Sequence, residues 1–121
     1  MPLQYGVHEM SIAANVLDAV RTERALHGGA RVMRAGLRIG ELSGVEIESL
    51  RFCLEVLAAD SDLAGAGFEI QAAPWTRRCR DCGAEFRVVD ARPACAACGS
   101  GETDPAGGDQ MELSFVELED A

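Results

Sequence analysis

Four cysteines in the second half of the chain have the spacing of a metal site. Two residues separate Cys79 from Cys82, twelve residues follow, and Cys95 and Cys98 repeat the pair. A glycine follows each pair and permits the tight turn that directs two thiolates at one ion. Two such pairs supply a closed tetrahedral ligand set, so the pattern predicts structural zinc(II) held by all four thiolates. The intervening residues 84–89, AEFRVV, predict a hairpin strand.

Three other uses of this module compete with structural zinc. A thioredoxin-like redox role requires a Cys-x-x-Cys at a strand-to-helix turn, which two pairs joined by a hairpin do not provide. A zinc enzyme requires an open coordination position, which four thiolates exclude. Nucleic-acid binding requires a basic surface. The ribbon has two more arginines than acidic residues: Arg77, Arg78, Arg80, Arg87 and Arg92 against Asp81, Glu85 and Asp90. The net negative charge of zinc(II) with four thiolates cancels this excess of positive charge.

A histidine and a glutamate, His8 and Glu9, stand directly before an amphipathic segment. The pair offers an imidazole and a carboxylate, both of which are metal ligands. It is also typical of an ordinary helix start, where Glu favours the helix dipole and His caps the helix or lies in solvent. Elsewhere, His27 is expected to cap the end of the first helix, and Cys53 is expected to be a buried free thiol.

The elements around these residues predict an α+β fold. Apolar residues at helical spacing predict a helix over residues 11–26 that stops at Gly28-Gly29. Ser43 and Glu46 have capping-box spacing before a second helix. Alternating segments predict strands near 32–42, 68–73 and 111–118, the last with a possible bulge. We therefore expect two helices packed on a small sheet of about three strands, with a zinc ribbon inserted between the last two. Residues 1–74 and 109–121 would form one domain and residues 75–108 the zinc-binding domain.

Composition narrows the class of protein. The chain has 121 residues, 48% hydrophobic, with a formal net charge of −9 and no lysine. This balance argues against a nucleic-acid partner. No apolar run predicts a membrane span, and no secretory signal is evident, so we expect a cytoplasmic protein. No nucleophile–base pair or phosphate loop is present, so we expect no enzymatic activity.

Three blocks of sequence together resemble one known family. VHEMSIA at the start, LRIGELSGVEIESLRFCLEVL in the middle, and the cysteine ribbon followed by GGDQMELSFVELE look like the HypA/HybF family of hydrogenase nickel-incorporation proteins. The resemblance extends from Val7 to about Glu119, with the blocks in the family's order and at its separations.

The resemblance implies a nickel metallochaperone for maturation of [NiFe]-hydrogenase and, in some organisms, of urease. It assigns His8 and Glu9 to nickel, the four ribbon cysteines to zinc, and Glu46 to a minor role in nickel handling. It also implies a partner GTPase that helps to load nickel into the hydrogenase large subunit, with this chain a monomer or homodimer. A zinc-ribbon adaptor that transfers no nickel is the alternative.

One departure from the family concerns the start of the chain. In the family the histidine is the second residue, and the terminal amine can join the nickel site. Here Met1–Gly6 and Val7 precede His8, which would leave the amine of Met1 too distant for the same chelate. A real extension would leave a weaker site made from His8 and backbone amides. We expect instead that translation begins at Val7, because GTG is an alternative initiation codon that a conceptual translation writes as valine, and the lysine-free, Arg-rich composition suggests a GC-rich genome.

Overall fold

A computed structural model of the chain describes residues 5–120, and for residues 5–7 it describes the backbone alone. The predictions about Met1–Gln4 therefore lie outside the described residues. The helices are α1, Tyr5–Leu26, and α2, Ile47–Ala59. The strands are β1 Val32–Gly40, β2 Gly67–Ala73, β3 Thr76–Cys79, β4 Glu85–Arg87, β5 Thr103–Gly107 and β6 Met111–Leu118.

Two three-stranded sheets organise these strands. The first has the order β2-β1-β6 and the second the order β4-β3-β5. The predicted three-stranded sheet is thereby confirmed, with the bounds of its strands within two residues of the expected ones. The second sheet is the ribbon, of which only the β4 hairpin strand was predicted. The fold prediction is confirmed.

The helix α1 begins at Tyr5, six residues before the amphipathic segment that predicted it. Its buried residues Ile12, Leu17 and Val20 form the predicted inward face. The predicted stop is confirmed: Gly28 and Gly29 have φ values of 92° and 77°, which glycine adopts without strain. The N–H of Gly29 donates to the carbonyl of Arg24 at 2.9 Å and closes the helix end.

The helix α2 begins differently from the predicted capping box. Glu46 is itself the N-cap, and its carboxylate accepts the N–H of Ser49 at 2.7 Å. Ser43 belongs to a short 3₁₀ turn, Glu41–Ser43, which ends at Gly44 with φ of 76°. The left-handed glycine separates Ser43 from the helix, so the capping-box prediction is wrong. Cys53 is buried in this helix, as predicted.

The helices α1 and α2 pack against each other and share a hydrophobic core with β1. The fully buried side chains of this core include Val20, Leu37, Leu50, Leu54 and Leu63. The other face of β1 is polar. There Arg34 pairs with Glu69 of β2 and with Glu117 of β6 at 3.1 Å. This alternation matches the sequence pattern of a half-buried strand.

Side-chain contacts connect β1 with β6. Arg38 pairs with Glu112 at 3.7 Å, and Gly36 lies against the ring of Phe115. The predicted bulge in β6 stays a prediction.

The chain forms two compact units. One contains the residues through Arg38, then Val45–Gln71, and the residues from Glu112 onward; the other contains Ile39–Gly44 and Ala72–Met111. The turn after β1 thus belongs with the ribbon. Within this second unit the N–H of Gly40 donates to the backbone carbonyl of Gln110 at 2.7 Å, and the N–H of Leu42 donates to that of Gly108 at 2.6 Å. The predicted functional division at residues 74/75 and 108/109 stays a prediction.

Candidate metal sites

The four ribbon cysteines converge on one point. Within the described residues they form the one group of three or more His, Cys, Asp or Glu side chains placed to hold a metal ion. Their sulfur atoms lie within 4.8 Å of one another. Cys79 and Cys98 are 3.6 Å apart, as are Cys82 and Cys95. A tetrahedral zinc with Zn–S bonds of about 2.3 Å would separate its sulfurs by about 3.8 Å, so the thiols fit that ion.

Both cysteine pairs are built by the same backbone hydrogen bonds. In the first pair, the N–H of Gly83 donates to the carbonyl of Cys79 at 2.9 Å, and in the second the N–H of Gly99 donates to the carbonyl of Cys95 at 2.8 Å. Gly83 and Gly99 have φ values of 78° and 80°. Because this left-handed backbone suits glycine, the glycine after each pair forms the turn that the sequence predicted.

Backbone N–H groups lower the pKa of the first cysteine of each pair. The N–H of Cys98, assisted by that of Ala97, lowers the pKa of Cys95 to about 7 despite burial. The N–H of Cys82 similarly lowers the pKa of Cys79.

The second cysteine of each pair shows the opposite effect. The N–H of Ser100 lowers the pKa of Cys98, but the Cys79 thiol, burial and the Cys95 thiol outweigh it and raise that pKa to about 12. The pKa of Cys82 is raised in the same way: the N–H of Ala84 lowers it, and Cys95 and burial raise it by more. A cation bound among the four sulfurs would favour the thiolate form of all of them.

The basic side chains of the ribbon are largely engaged with other groups. Arg78 pairs with Glu85 at 2.9 Å, and Arg87 pairs with Glu41 at 3.1 Å. Arg77 donates to the hydroxyl of Thr103 at 2.7 Å. Since these guanidinium groups already have partners, the ribbon does not present the free basic surface that nucleic acid requires.

A residue that sequence reasoning missed supports the base of the ribbon. The Oε1 atom of Glu41 accepts the N–H of Trp75 at 2.9 Å and also binds Arg87. Glu41 therefore holds the chain just before β3 and the end of β4. No local pattern identifies it, because Trp75 lies 34 residues away along the chain.

The second candidate site lies at the start of α1. His8 is exposed, whereas the side chain of Glu9 is completely buried. The Oε2 atom of Glu9 accepts the N–H of Glu46 at 2.9 Å, which fixes this turn of α1 to the start of α2. Its Oε1 atom is buried and has no hydrogen-bond partner among the described groups. The structure thus brings Glu9 and Glu46 together and leaves the imidazole of His8 accessible.

His27 lies at the other end of α1 and is exposed. Its Nε2 atom is 3.6 Å from the carboxylate of Glu23, one helical turn earlier. This pairing gives His27 a partner within the chain, so no metal is needed to explain its position. His27 therefore provides a natural comparison for His8, since both are exposed histidines, one near the start of α1 and one just after its end.

Comparison with known proteins identifies the family. Residues 7–118 match the family model described as "Hydrogenase/urease nickel incorporation, metallochaperone, hypA". Hydrogenase maturation factor HypA from Azoarcus sp. strain BH72 is 38% identical over 114 residues, which cover 94% of this chain and 100% of the relative. The Dechloromonas aromatica factor is 36% identical over 113 residues, 93% of this chain and 100% of the relative.

Solved structures agree in fold. The solution structure of the Ni metallochaperone HypA from Helicobacter pylori matches with a TM-score of 0.64 at 20% identity, covering 91% of this chain and 96% of that one. A second solution structure of a HypA protein gives 0.68 at 21% identity, with coverages of 93% and 97%. With the match of nearly the whole sequence, these findings establish that the chain belongs to the HypA family of nickel-incorporation metallochaperones, which act in hydrogenase maturation.

Proposed function

We propose that this chain binds nickel(II) as cargo at the start of α1 and delivers it to [NiFe]-hydrogenase during maturation, and to urease in hosts that have it. The observation that carries the proposal is the match of residues 7–118 to the family, which begins one residue before the exposed His8. Members of this family are maturation factors, so the chain is not an enzyme.

His8 is the direct nickel ligand in this proposal. Nickel(II) favours nitrogen ligands, and an imidazole next to backbone amides can form the small chelate rings that suit it. The exposure of His8 supports a delivery role, because an acceptor protein can approach the ion. A resident cofactor would instead be enclosed by its ligands.

Glu9 and Glu46 hold the nickel site in place. The bond from the Glu46 N–H to Glu9 fixes the turn that contains His8. The unpartnered Oε1 of Glu9 is a buried polar atom that a cation or a proton donor would stabilise. We therefore assign Glu9 to the nickel site with His8, and Glu46 to its support.

Zinc is the structural metal in this proposal. Cys79, Cys82, Cys95 and Cys98 would hold it, and their spacing along the chain and the convergence of their sulfur atoms support that assignment. Zinc bound there would supply a rigid cross-link between the two cysteine pairs and leave no position for a substrate.

The partners follow from the delivery role. A GTPase accessory protein would supply GTP hydrolysis, since the sequence has no phosphate-binding loop. The hydrogenase large subunit would accept the nickel. We place the protein in the cytoplasm as a monomer or homodimer. None of the helices among residues 5–120 is long and apolar enough to cross a membrane.

A hydrogenase-producing strain that lacks its own nickel-incorporation factor provides the test. Expression of the wild-type chain is expected to restore hydrogenase activity and nickel in the large subunit. His8→Ala should restore neither, whereas His27→Ala should restore both. Full restoration by His8→Ala would overturn the nickel role of His8 and favour the zinc-ribbon adaptor.

A further inference from the structure

The two cysteine pairs differ in the residues that they enclose. Arg80 and Asp81 lie between the first two cysteines, whereas Ala96 and Ala97 lie between the second two. Both charged side chains contact the segment that follows the second pair. The side-chain bonds that connect the two cysteine pairs therefore come from the first pair, because the side chains of Ala96 and Ala97 cannot form hydrogen bonds or ion pairs.

Ser100 is the point at which these cross-links meet. Its hydroxyl donates to the Oδ2 atom of Asp81 at 2.5 Å and accepts the N–H of Glu102 at 3.0 Å. Its carbonyl accepts the N–H of Cys95 at 2.8 Å. Through Ser100, Asp81 of the first pair is connected to the backbone of the second pair.

Arg80 makes a parallel but different connection. Its guanidinium binds Glu102 at 2.9 Å and approaches Asp104 at 3.4 Å. These are exposed ion pairs, which contribute little to stability. The N–H of Arg80 also donates to the carbonyl of Glu102 at 2.8 Å, and this backbone bond does not depend on the side chain of Arg80. We therefore expect the side chain of Asp81, rather than that of Arg80, to determine how the two cysteine pairs are held together.

We propose that Asp81 is a positioning residue of the four-cysteine site: by binding Ser100, it holds the two cysteine pairs at zinc-ligand separation before the metal arrives. The proposal rests on the zinc binding proposed above. A preformed site loses less conformational freedom when the metal binds, so its affinity is higher. Groups that orient metal ligands typically change affinity by about 10–100-fold. Because Asp81 is exposed, we expect about tenfold, the lower end of that range.

Zinc competition with a chromophoric chelator tests this in the full chain. Asp81→Ala should weaken zinc binding about tenfold. Ser100→Ala should weaken it at least as much, since it also removes the acceptor of the Glu102 N–H. The double variant should be no weaker than Ser100→Ala, because both changes remove the same bond between Asp81 and Ser100. Asp81→Asn should stay near wild type, since its amide oxygen still accepts the Ser100 hydroxyl. Asp90→Asn removes an exposed acidic residue elsewhere in the ribbon and should change nothing.

Cobalt(II) substitution separates positioning from loss of the site. Every variant should give the absorption spectrum of cobalt bound by four thiolates, which shows that the ligand set is intact. Zinc affinities of Asp81→Ala and Ser100→Ala within twofold of wild type, or additive losses in the double variant, would overturn the role of Asp81. A wild-type chain that binds no zinc would instead overturn the zinc assignment itself.

Discussion

The carboxylate of Glu9 accepts the backbone N–H of Glu46 at 2.9 Å, although 37 residues separate them along the chain. This bond joins the N-terminal part of α1 to the N-cap of α2, and Glu9 directly follows the exposed His8. The candidate nickel site is thereby attached to the core through a residue that is itself completely buried.

Replacing Glu9 should therefore destabilise the helical unit. Glu9→Ala leaves the Glu46 N–H unpaired and creates a cavity, so we expect a loss of about 1–3 kcal/mol in the free energy of unfolding. Glu9→Gln keeps an acceptor oxygen and should lose less. Urea unfolding monitored by far-UV circular dichroism measures both. A Glu9→Ala variant as stable as wild type would show that the bond does not support the fold.

The cap of α2 should make stability depend on pH. The N–H of Ser49 holds the pKa of Glu46 below its ordinary value of 4.5. The carboxylate therefore contributes stability above the pKa of the unfolded chain, and this contribution is lost as pH falls through the lower folded pKa. Glu46→Ala should melt a few degrees below wild type at neutral pH, and the gap should narrow in acid. A gap that is equally large at acid pH would contradict the capping role of the carboxylate.

The fifth cysteine provides a control for the zinc site. Cys95→Ser removes one of four converging thiols and should abolish stable zinc binding, whereas Cys53→Ser lies in the core of the other unit and should retain it. Metal analysis of purified full-length variants measures the zinc content. Equal loss of zinc from both variants would contradict a site confined to the ribbon.

Gly40 should tolerate no side chain. A Cβ atom at this position would lie 2.0 Å from the carbonyl oxygen of Gly108. Because that neighbour is backbone, Gly40→Ala should cost more than about 2 kcal/mol of stability. Gly101→Ala is the matched control, since nothing lies within 4 Å of its Cβ position. Thermal melts of the two variants should differ clearly; similar melting temperatures would show that the backbone relaxes without cost.

Nickel affinity should also depend on the residues before His8. A chain that begins at Val7 places its terminal amine next to His8, where amine, amide and imidazole nitrogens can chelate one nickel ion. We expect it to bind nickel more tightly than the full chain. The comparison is a nickel titration of the two forms. Equal affinities would show that the amine is not part of the site.

Local patterns in the sequence predicted the four-cysteine cluster and the first sheet, but they did not predict the long-range contacts. The spacing of Cys79, Cys82, Cys95 and Cys98 is set by two short turns, so it is readable along the chain. The contact of Glu41 with Trp75 and that of Glu9 with Glu46 join distant segments, and no periodicity encodes them. The capping box failed because the left-handed Gly44 intervenes between Ser43 and α2.

Nickel(II) titration of the zinc-loaded protein by calorimetry tests the central claim most directly, because prior zinc loading keeps the four thiolates from competing. Wild type and His27→Ala should bind nickel with the same affinity, and His8→Ala should lose most of that binding. Unchanged nickel binding by His8→Ala would contradict the assignment of His8 as the nickel ligand.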